Sequence, residues 1–261
     1  MSYCDFVPVD STLRTVVSPD SRKKFENVFL LEPAFKLKTN LHISSGLKKV
    51  IKKEKGLEIL LLHYRDSKGK AVIPGSSFKG AISRNFLALC GSAEMTSNLF
   101  GATRTKAVIS KVFFSDLLPE KLELREVEVL RQWRPQKGRR GQIKFYTRRA
   151  PPTNRYGFVE CIPAGTPLKG KVVGYNLKPI ELGGLIMAMG FGIENAVLKL
   201  GYAKPQGFGQ MFPVEIKLYE LSFDGLELKK RELNAKDFIG EFSKKFSDRI
   251  AKFSKVIFAG V

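Results

Sequence analysis

A long run of cations without acids is the part of the sequence most suited to binding a polyanion. Residues 131–155 read RQWRPQKGRRGQIKFYTRRAPPTNR, with nine basic residues and no acidic one. Cations neutralise phosphates and the interleaved aromatic rings can stack on unpaired bases, which favours single-stranded nucleic acid over a merely solvated loop. The candidate contacts are Arg131, Arg134, Lys137, Arg139, Arg140, Lys144, Arg148, Arg149, Arg155 and, just beyond, Tyr156.

A second candidate anion site lies in the stretch AVIPGSSFKGAISRNFLALCG, which ends at Gly91. Apolar residues recur at helical spacing after the Pro-Gly pair, so we predict a helix of about four turns that is capped by one of the serines and stops at Gly91. Free N–H groups at a helix start bind phosphate, whereas the alternative is a core helix whose serines serve only the backbone. The polar residues of this site would be Ser76, Ser77, Lys79 and Arg84.

The segment GYAKPQGFGQ places three glycines around Lys204. Glycine lets the backbone approach a ligand closely, and a lysine there can meet a phosphate. A tight turn with a solvated lysine is the alternative interpretation.

Composition agrees with a polyanionic partner. The 261 residues include 45 Lys plus Arg against 25 Asp plus Glu, for a formal net charge of +20. The three cysteines form no CxxC pair, so we expect no disulfide framework, no metal site and no cofactor. Because no apolar run is long enough to span a membrane and the amino terminus lacks a signal-peptide pattern, we expect a cytoplasmic protein with no membrane partner.

The order of the elements predicts an α+β fold. AFKLKTNLHIS alternates, so we expect a half-buried strand whose outer, basic face carries His42, a candidate contact to nucleic acid. After the helix come strands in AVISKVFFSDL and TPLKGKVVGYNL, a helix from about Glu181 to Met189, and a strand in FPVEIKLYEL. This βαββαβ order is that of the ferredoxin-like fold and of the RNA recognition motif.

We expect a single domain, 1–261, with two long insertions at 45–70 and 117–165. Long loops in a compact domain usually have a function. The segment 234–258 has an apolar stripe at helical spacing, and acids mixed into its polar face favour a helix docked on the core over a helix lying on a membrane.

Six motifs span most of the chain: LHISSG, IPGSSFKG, NLFG, VFFSD, CIPAGTPLKGKV and LGYAKPQGFGQM. Their order resembles the repeat-associated mysterious protein (RAMP) superfamily of CRISPR systems, and in particular the RNA-binding backbone subunits of type III effector complexes. The resemblance implies crRNA, target RNA and other CRISPR effector subunits as partners, a self-stacking or hetero-oligomeric filament, and a role in antiviral defence. It also implies that the two insertions act as a lid and a thumb, with residues 131–156 forming the thumb or its base.

The resemblance leaves RNA cleavage open. Members that cut RNA use an Asp several residues ahead of an Arg-Asp pair; here Arg65-Asp66 matches the pair, but apolar residues stand where that Asp is expected. A scaffold that binds without cutting is therefore favoured over a RAMP endoribonuclease that cleaves target RNA or processes crRNA. The remaining candidates for catalysis are Glu58, Asp66 and His42, while His63 is expected to be a packing residue. A structural protein of a ribonucleoprotein would explain the charge but not the six motifs.

Overall fold

The computed structural model describes residues 3–12, 26–54, 56–103, 107–120, 123–131 and 141–260. Within these ranges the chain forms fourteen strands and four α-helices. In chain order they are β1 (Cys4–Pro8), β2 (Val28–Leu37), β3 (Ser44–Lys53), β4 (Gly56–His63), α1 (Gly75–Cys90), α2 (Ala93–Phe100), β5 (Val112–Phe114), β6 (Leu118–Pro119), β7 (Arg125–Leu130), β8 (Gln142–Tyr146), β9 (Arg155–Cys161), β10 (Pro167–Lys169), β11 (Val172–Tyr175), α3 (Pro179–Ala188), β12 (Leu198–Lys199), β13 (Gln210–Asp224), β14 (Glu227–Leu233) and α4 (Ala235–Ile257).

The main sheet is antiparallel and has β2 at its centre. On one side β2 pairs with β13, and on the other it pairs with β10 and β11. The strand β5 pairs with β11, which gives the order β13, β2, β11, β5. The α+β class with antiparallel sheets and a carboxyl-terminal helix is confirmed.

The helices α1, α3 and α4 share one hydrophobic core with the main sheet. The apolar stripe of α1, which includes Phe78 and Phe86, is fully buried, and the helix ends at Gly91 as predicted, with a left-handed backbone conformation. Two adjacent glycines of α3 let α4 pack against it. A Cβ on Gly183 would lie 2.0 Å from the carbonyl oxygen of Phe238, so a larger residue there would push α4 away.

The docking of the carboxyl-terminal helix is confirmed. Helix α4 falls within the predicted 234–258, and Phe242 on its apolar stripe is fully buried beside Phe86. No helix in the described ranges is long and apolar enough to cross a membrane.

The predicted first strand is displaced, and the expected exposure of His42 is wrong. The strand β2 ends at Leu37, five residues before His42, and the chain bends before Leu41 pairs with Ile162. His42 is fully buried, and its ring Nδ1–H donates to the backbone oxygen of Glu160, at 2.7 Å. The alternation of AFKLKTNLHIS is therefore not one continuous strand, and the imidazole lies inside the protein.

The two insertions build a second sheet where we expected loops. Within the described residues β3 and β4 form an antiparallel hairpin, and the sheet continues through β9 to β7. Its buried face, with Leu61, Val129 and Val159, packs against Tyr202 and Phe208 of the glycine-rich segment. The insertions therefore support the segment that carries Lys204.

Candidate functional site

Three of the motifs converge on one groove with a volume of about 470 Å³. One wall is α1, and the other is the chain after β12, while residues that follow Leu41 close one end. The residues that line it are Ile43, Ser44, Ser77, Gly80, Ala81, Arg84, Lys199, Leu200, Gly201, Tyr202 and Lys204. This lining has three cations and no acidic side chain, so its electrostatic potential favours an anion.

Arg84 lies at the centre of the groove. Ser77, Gly80, Ala81 and Arg84 share one face of α1, since residues three and four apart lie one above the other. The guanidinium carbon is 4.6 Å from the centre of the Phe145 ring, and Nε is buried without a hydrogen-bond partner among the described residues. Burial lowers the pKa of Arg84, although a guanidinium remains charged at neutral pH. A buried charge without a counter-ion is costly, which makes this guanidinium suited to an incoming anion.

Lys199 is a buried cation that sequence reasoning missed. It is 5% exposed, and its Nζ donates to the backbone oxygens of Tyr146 and Ala259, at 2.5 and 2.6 Å. Burial, and then the neighbouring charge of Arg84, lower its pKa to about 8. The available signal was a single lysine inside the apolar run AVLKLG, since lysine is rarely buried without a reason.

Lys204 is held in the groove by the glycine-rich segment. Its Nζ donates to the backbone oxygen of Gly201 at 2.5 Å, and burial followed by the charge of Arg84 lowers its pKa to about 8. Gly201 and Gly209 have positive φ, and a Cβ on Gly209 would lie 1.8 Å from the oxygen of Leu200. Only glycine fits there, so these residues fix the path that delivers Lys204.

The amino-terminal end of α1 does not hold the anion site that we expected. The N-cap is Pro74 rather than a serine, and the Gly75 N–H donates to Oδ1 of Asp116 at 2.8 Å. A carboxylate thus lies at the helix end where a phosphate was predicted. Lys79 donates to Oγ of Ser110 at 2.8 Å and does not line the groove.

The structure therefore separates the predicted residues of the IPGSSFKG stretch. Ser77 and Arg84 come together with Lys204, whereas Ser76 is exposed and lies outside the groove lining. The candidate groove therefore runs along the side of α1, from Ser77 to Arg84, and does not lie at its amino-terminal end.

Part of the basic segment lies next to the groove. The strand β8 places Phe145 under Arg84, and Lys144 lies over the Tyr146 ring at 5.0 Å. Arg131, Arg148 and Arg149 are exposed. The predicted contacts Arg134, Lys137, Arg139 and Arg140 lie outside the described residues.

Arg155, one of the predicted nucleic-acid contacts, is held within the second sheet. It begins β9, and its guanidinium is 3.1 Å from Glu58 and 3.2 Å from Glu128 while it also covers the Phe158 ring. Its charge is thus neutralised within the second sheet. The next residue, Tyr156, keeps 38% of its surface exposed.

The candidate catalytic side chains have structural partners. Glu58 pairs with Arg155, and Oδ1 of Asp66 accepts the backbone N–H groups of Lys68 and Lys70 in a turn. Burial lowers the pKa of His42, whose Nε2 faces no partner in the described part of the chain.

His63 is a packing residue in this fold. It accepts the Ile43 N–H at Nδ1 and donates to the Val72 oxygen from Nε2, and burial lowers its pKa to about 4. Across the described ranges no three His, Cys, Asp or Glu side chains cluster as a metal site.

Comparisons with known proteins were made at the levels of structure and sequence. A chain of a type IV-B CRISPR complex matches with a TM-score of 0.43 and 16% identity, covering 71% of this chain and 89% of the other. A chain of the Csm3-Csm4 subcomplex in the type III-A CRISPR-Cas interference complex matches with a TM-score of 0.46 and 18% identity, covering 85% and 97%. No curated protein matches the sequence. The family model of the RAMP superfamily matches residues 34–255, and the chain belongs to this superfamily.

Proposed function

We propose that this chain is an RNA-binding backbone subunit of a type III CRISPR effector complex, which grips crRNA and positions target RNA for antiviral defence. Its partners are then crRNA, target RNA and other effector subunits. The chain stacks in a filament, either on copies of itself or on different subunits. Membership of the RAMP superfamily supports the CRISPR context. The groove supports a role in holding an RNA backbone.

The buried Nε of Arg84, which has no hydrogen-bond partner among the described residues, carries the proposal. Arg84, Lys199 and Lys204 are three largely buried cations in one groove that has no acidic lining. A protein gains nothing in stability from bringing such charges together without a counter-ion, whereas a phosphodiester would neutralise them. Hydrogen bonds from cations to phosphate hold a backbone without reading its bases.

The surface beside the groove supports a polymer over a small anion. Lys144, Arg148 and Arg149 continue the positive charge from the groove, and Tyr146 and Tyr156 add aromatic rings that can stack on bases. A free phosphate would need none of these residues, but a single strand would contact several of them in turn.

We also propose that the core is ferredoxin-like. The antiparallel order β13, β2, β11, β5, with α1 and α3 joining strands on one face, supports a βαββαβ core. In this arrangement the groove lies along α1, and a contact built on a helix is held more precisely than one built on a loop.

The first test is to purify the chain from its native host under gentle conditions and to sequence the small RNA that travels with it. We expect one length class that shares a repeat-derived 5′ tag. Lys204→Gln should reduce the RNA recovered per mole of protein, while Lys236→Gln, an exposed lysine outside the groove, should not. Absence of bound RNA, or equal recovery with both variants, would contradict the proposal.

A second test measures the binding of labelled single-stranded RNA over a series of salt concentrations. If about five phosphates are neutralised, log affinity falls against log salt with a slope near −3.5. Reversing the charge of Arg139, Arg140, Arg148 and Arg149 should flatten this slope, and a slope that stays the same would show that these residues do not touch RNA.

A further inference from the structure

The two lysines of the groove differ in how far their amines are open to it. Lys199 is 5% exposed, and its Nζ donates to two backbone oxygens, of Tyr146 and Ala259. Lys204 is half-buried, and its Nζ donates to the backbone oxygen of Gly201. A molecule that enters the groove can therefore reach the amine of Lys204, whereas the protein encloses the amine of Lys199.

The surroundings of Lys204 allow its amine to lose a proton. A carbonyl oxygen accepts a hydrogen bond from a neutral amine as well as from an ammonium group, whereas a carboxylate would hold the ammonium form. The ionisable side chains that line the described groove beside Lys204 are Arg84, Lys199 and Tyr202, and none is a carboxylate. Burial, and then the charge of Arg84, lower the pKa of Lys204 to about 8, so an appreciable fraction is neutral near pH 7. A neutral amine is a nucleophile.

The same groove can anchor a phosphoryl group next to this amine. The Nε of Arg84 is buried without a hydrogen-bond partner among the described residues, and Arg84 lies close enough to Lys204 to affect its pKa. On the chain after β8, Arg149 faces the same glycine-rich segment, since a Cβ on Gly207 would lie 3.3 Å from its Nε. Guanidinium groups bind phosphoryl oxygens through parallel hydrogen bonds. A phosphorylated molecule held at Arg84 would therefore present its neighbouring atoms to Lys204.

An acyl phosphate is the class of small molecule that uses both features of the groove. Its phosphoryl group is the anion that a guanidinium binds, and its acyl carbon is joined to that group through a single bridging oxygen. An amine can attack this carbon because phosphate is a good leaving group. A phosphodiester has no such carbon, so it would bind in the groove without reacting.

We propose that Lys204 is acylated by small acyl phosphates that bind at Arg84, and that this modification weakens RNA binding in the groove. The neutral amine attacks the acyl carbon and forms a C–N bond. The C–O bond to the phosphoryl group breaks, inorganic phosphate leaves with the electron pair, and the amine proton passes to water. The product is a neutral amide, so the groove loses one of its three cations. The effect on RNA rests on the proposed function, but the acylation does not.

The test is to incubate the nuclease-treated chain with acetyl phosphate near pH 7 and to follow acetylation by mass spectrometry. Cleavage after glutamate gives the peptide 195–215, which contains Lys199 and Lys204, and the peptide 233–241, which contains the exposed Lys236. We expect Lys204 to be acetylated roughly tenfold or more faster than Lys236, because it combines a neutral amine with a bound donor. Lys199 should react little.

Lys199 is the matched control for access, since its pKa is also lowered to about 8. A lowered pKa alone would make both groove lysines react. Acetylation of Lys199 as fast as Lys204, or of Lys204 no faster than Lys236, would overturn the proposal.

Two further measurements test the anchor. Both Arg84→Met and an excess of inorganic phosphate should slow acetylation at Lys204 severalfold and leave Lys236 unchanged. A rate at Lys204 that neither of them alters would also overturn the proposal. The rate at Lys204 should level off as pH rises above about 8, whereas the rate at Lys236 should keep rising. Parallel profiles for the two lysines would contradict a reactive amine at Lys204.

The consequence for RNA is measured separately. The acetylated chain should bind labelled single-stranded RNA roughly tenfold more weakly, and bound RNA should protect Lys204 but not Lys236 from acetyl phosphate. Equal affinity before and after acetylation would overturn the effect on binding. If Lys204 is acetylated but the chain binds no RNA, the modification site stands and the function proposed above is wrong. If RNA binds and Lys204 does not react, the acylation proposal alone is overturned.

Discussion

Arg84 illustrates the conflict between stability and binding at the scale of one residue. Its guanidinium lies against Phe145 with a buried Nε that has no partner among the described atoms, beside two lysines whose pKa values are lowered. Under the proposed function, the cost of burying this charge in the free protein is offset when an anion binds. Such conflicts are typical of binding sites, because stability and function select different residues there.

We therefore predict opposite effects on stability and binding for Arg84→Met. The unfolding free energy should stay within about 1 kcal/mol of the original value or rise, because the substitution removes a buried charge and keeps the apolar stem. The affinity for single-stranded RNA should fall roughly tenfold to a hundredfold, the loss expected for a charged hydrogen bond.

Thermal denaturation and fluorescence anisotropy measure the two effects. The control is Arg231→Met, since Arg231 pairs with Glu220 on the exposed hairpin of β13 and β14 and lies outside the groove. If Arg84→Met binds RNA as well as the control does, Arg84 has no role in the contact.

The two groove lysines, Lys199 and Lys204, predict that RNA affinity depends on pH. Their pKa values are lowered to about 8, so both lose charge as pH rises through that value, whereas a phosphate needs the charged form. RNA affinity should therefore fall between pH 7 and pH 9, in the range where an exposed lysine would stay protonated.

The variant that checks this prediction is Lys204→Arg, because arginine keeps its charge at pH 9. Its binding curve against pH should be flatter than that of the original chain. Equal slopes for the two proteins would place Lys204 outside the RNA contact.

At the scale of elements, the glycine-rich segment depends on backbone conformation. Gly209 has a φ of +70°, and a Cβ on it would lie 1.8 Å from the oxygen of Leu200. Gly225 has a φ of +62°, and a Cβ placed on it would have no atom within 4 Å. A side chain there would therefore meet the strain of a positive φ but no clash. Substitutions at Gly225 and Gly209 therefore separate the cost of a positive φ from the cost of the steric clash.

We predict that Gly209→Ala destabilises the protein by more than about 2 kcal/mol, whereas Gly225→Ala costs about 1 kcal/mol. Chemical denaturation gives both values. RNA binding of the folded fraction of Gly209→Ala should also fall, because Lys204 lies on the same segment. Equal costs at the two glycines would show that the contact with Leu200 relaxes freely.

At the scale of the whole molecule, the candidate catalytic groups are tied to the scaffold. Glu58 is held by Arg155 across the second sheet, and Asp66 closes a turn. We assemble the chain on a guide RNA with complementary target RNA and magnesium or manganese. We predict that it does not cleave the target RNA at the position that this subunit contacts. Mapping the 5′ ends of the target RNA measures this.

Three variants make the result decisive. A cut that is lost in Glu58→Ala or Asp66→Ala would make this chain a metal-dependent nuclease. A cut that persists with metal chelated and is lost only in His42→Ala would favour histidine chemistry, despite the burial of His42.

The sequence alone predicted what depends on local patterns. The helices α1 and α4 follow from apolar side chains three and four residues apart, and the end of α1 follows from Gly91. The excess of basic residues, +20 overall, predicted a polyanionic partner without any knowledge of the fold. The order of six short motifs predicted the RAMP superfamily, which the family comparison confirms.

Only the tertiary structure decided which polar side chains are available to bind a ligand. His42 alternates like an exposed residue, yet Glu160, 118 positions later, buries it, and Asp116 occupies the helix end at Gly75, 41 positions earlier. Lys199 reads as part of an apolar strand until the fold places it beside Arg84. Periodicity reports neighbours along the chain, whereas burial and charge pairing depend on contacts that are distant in sequence, and these contacts set the groove.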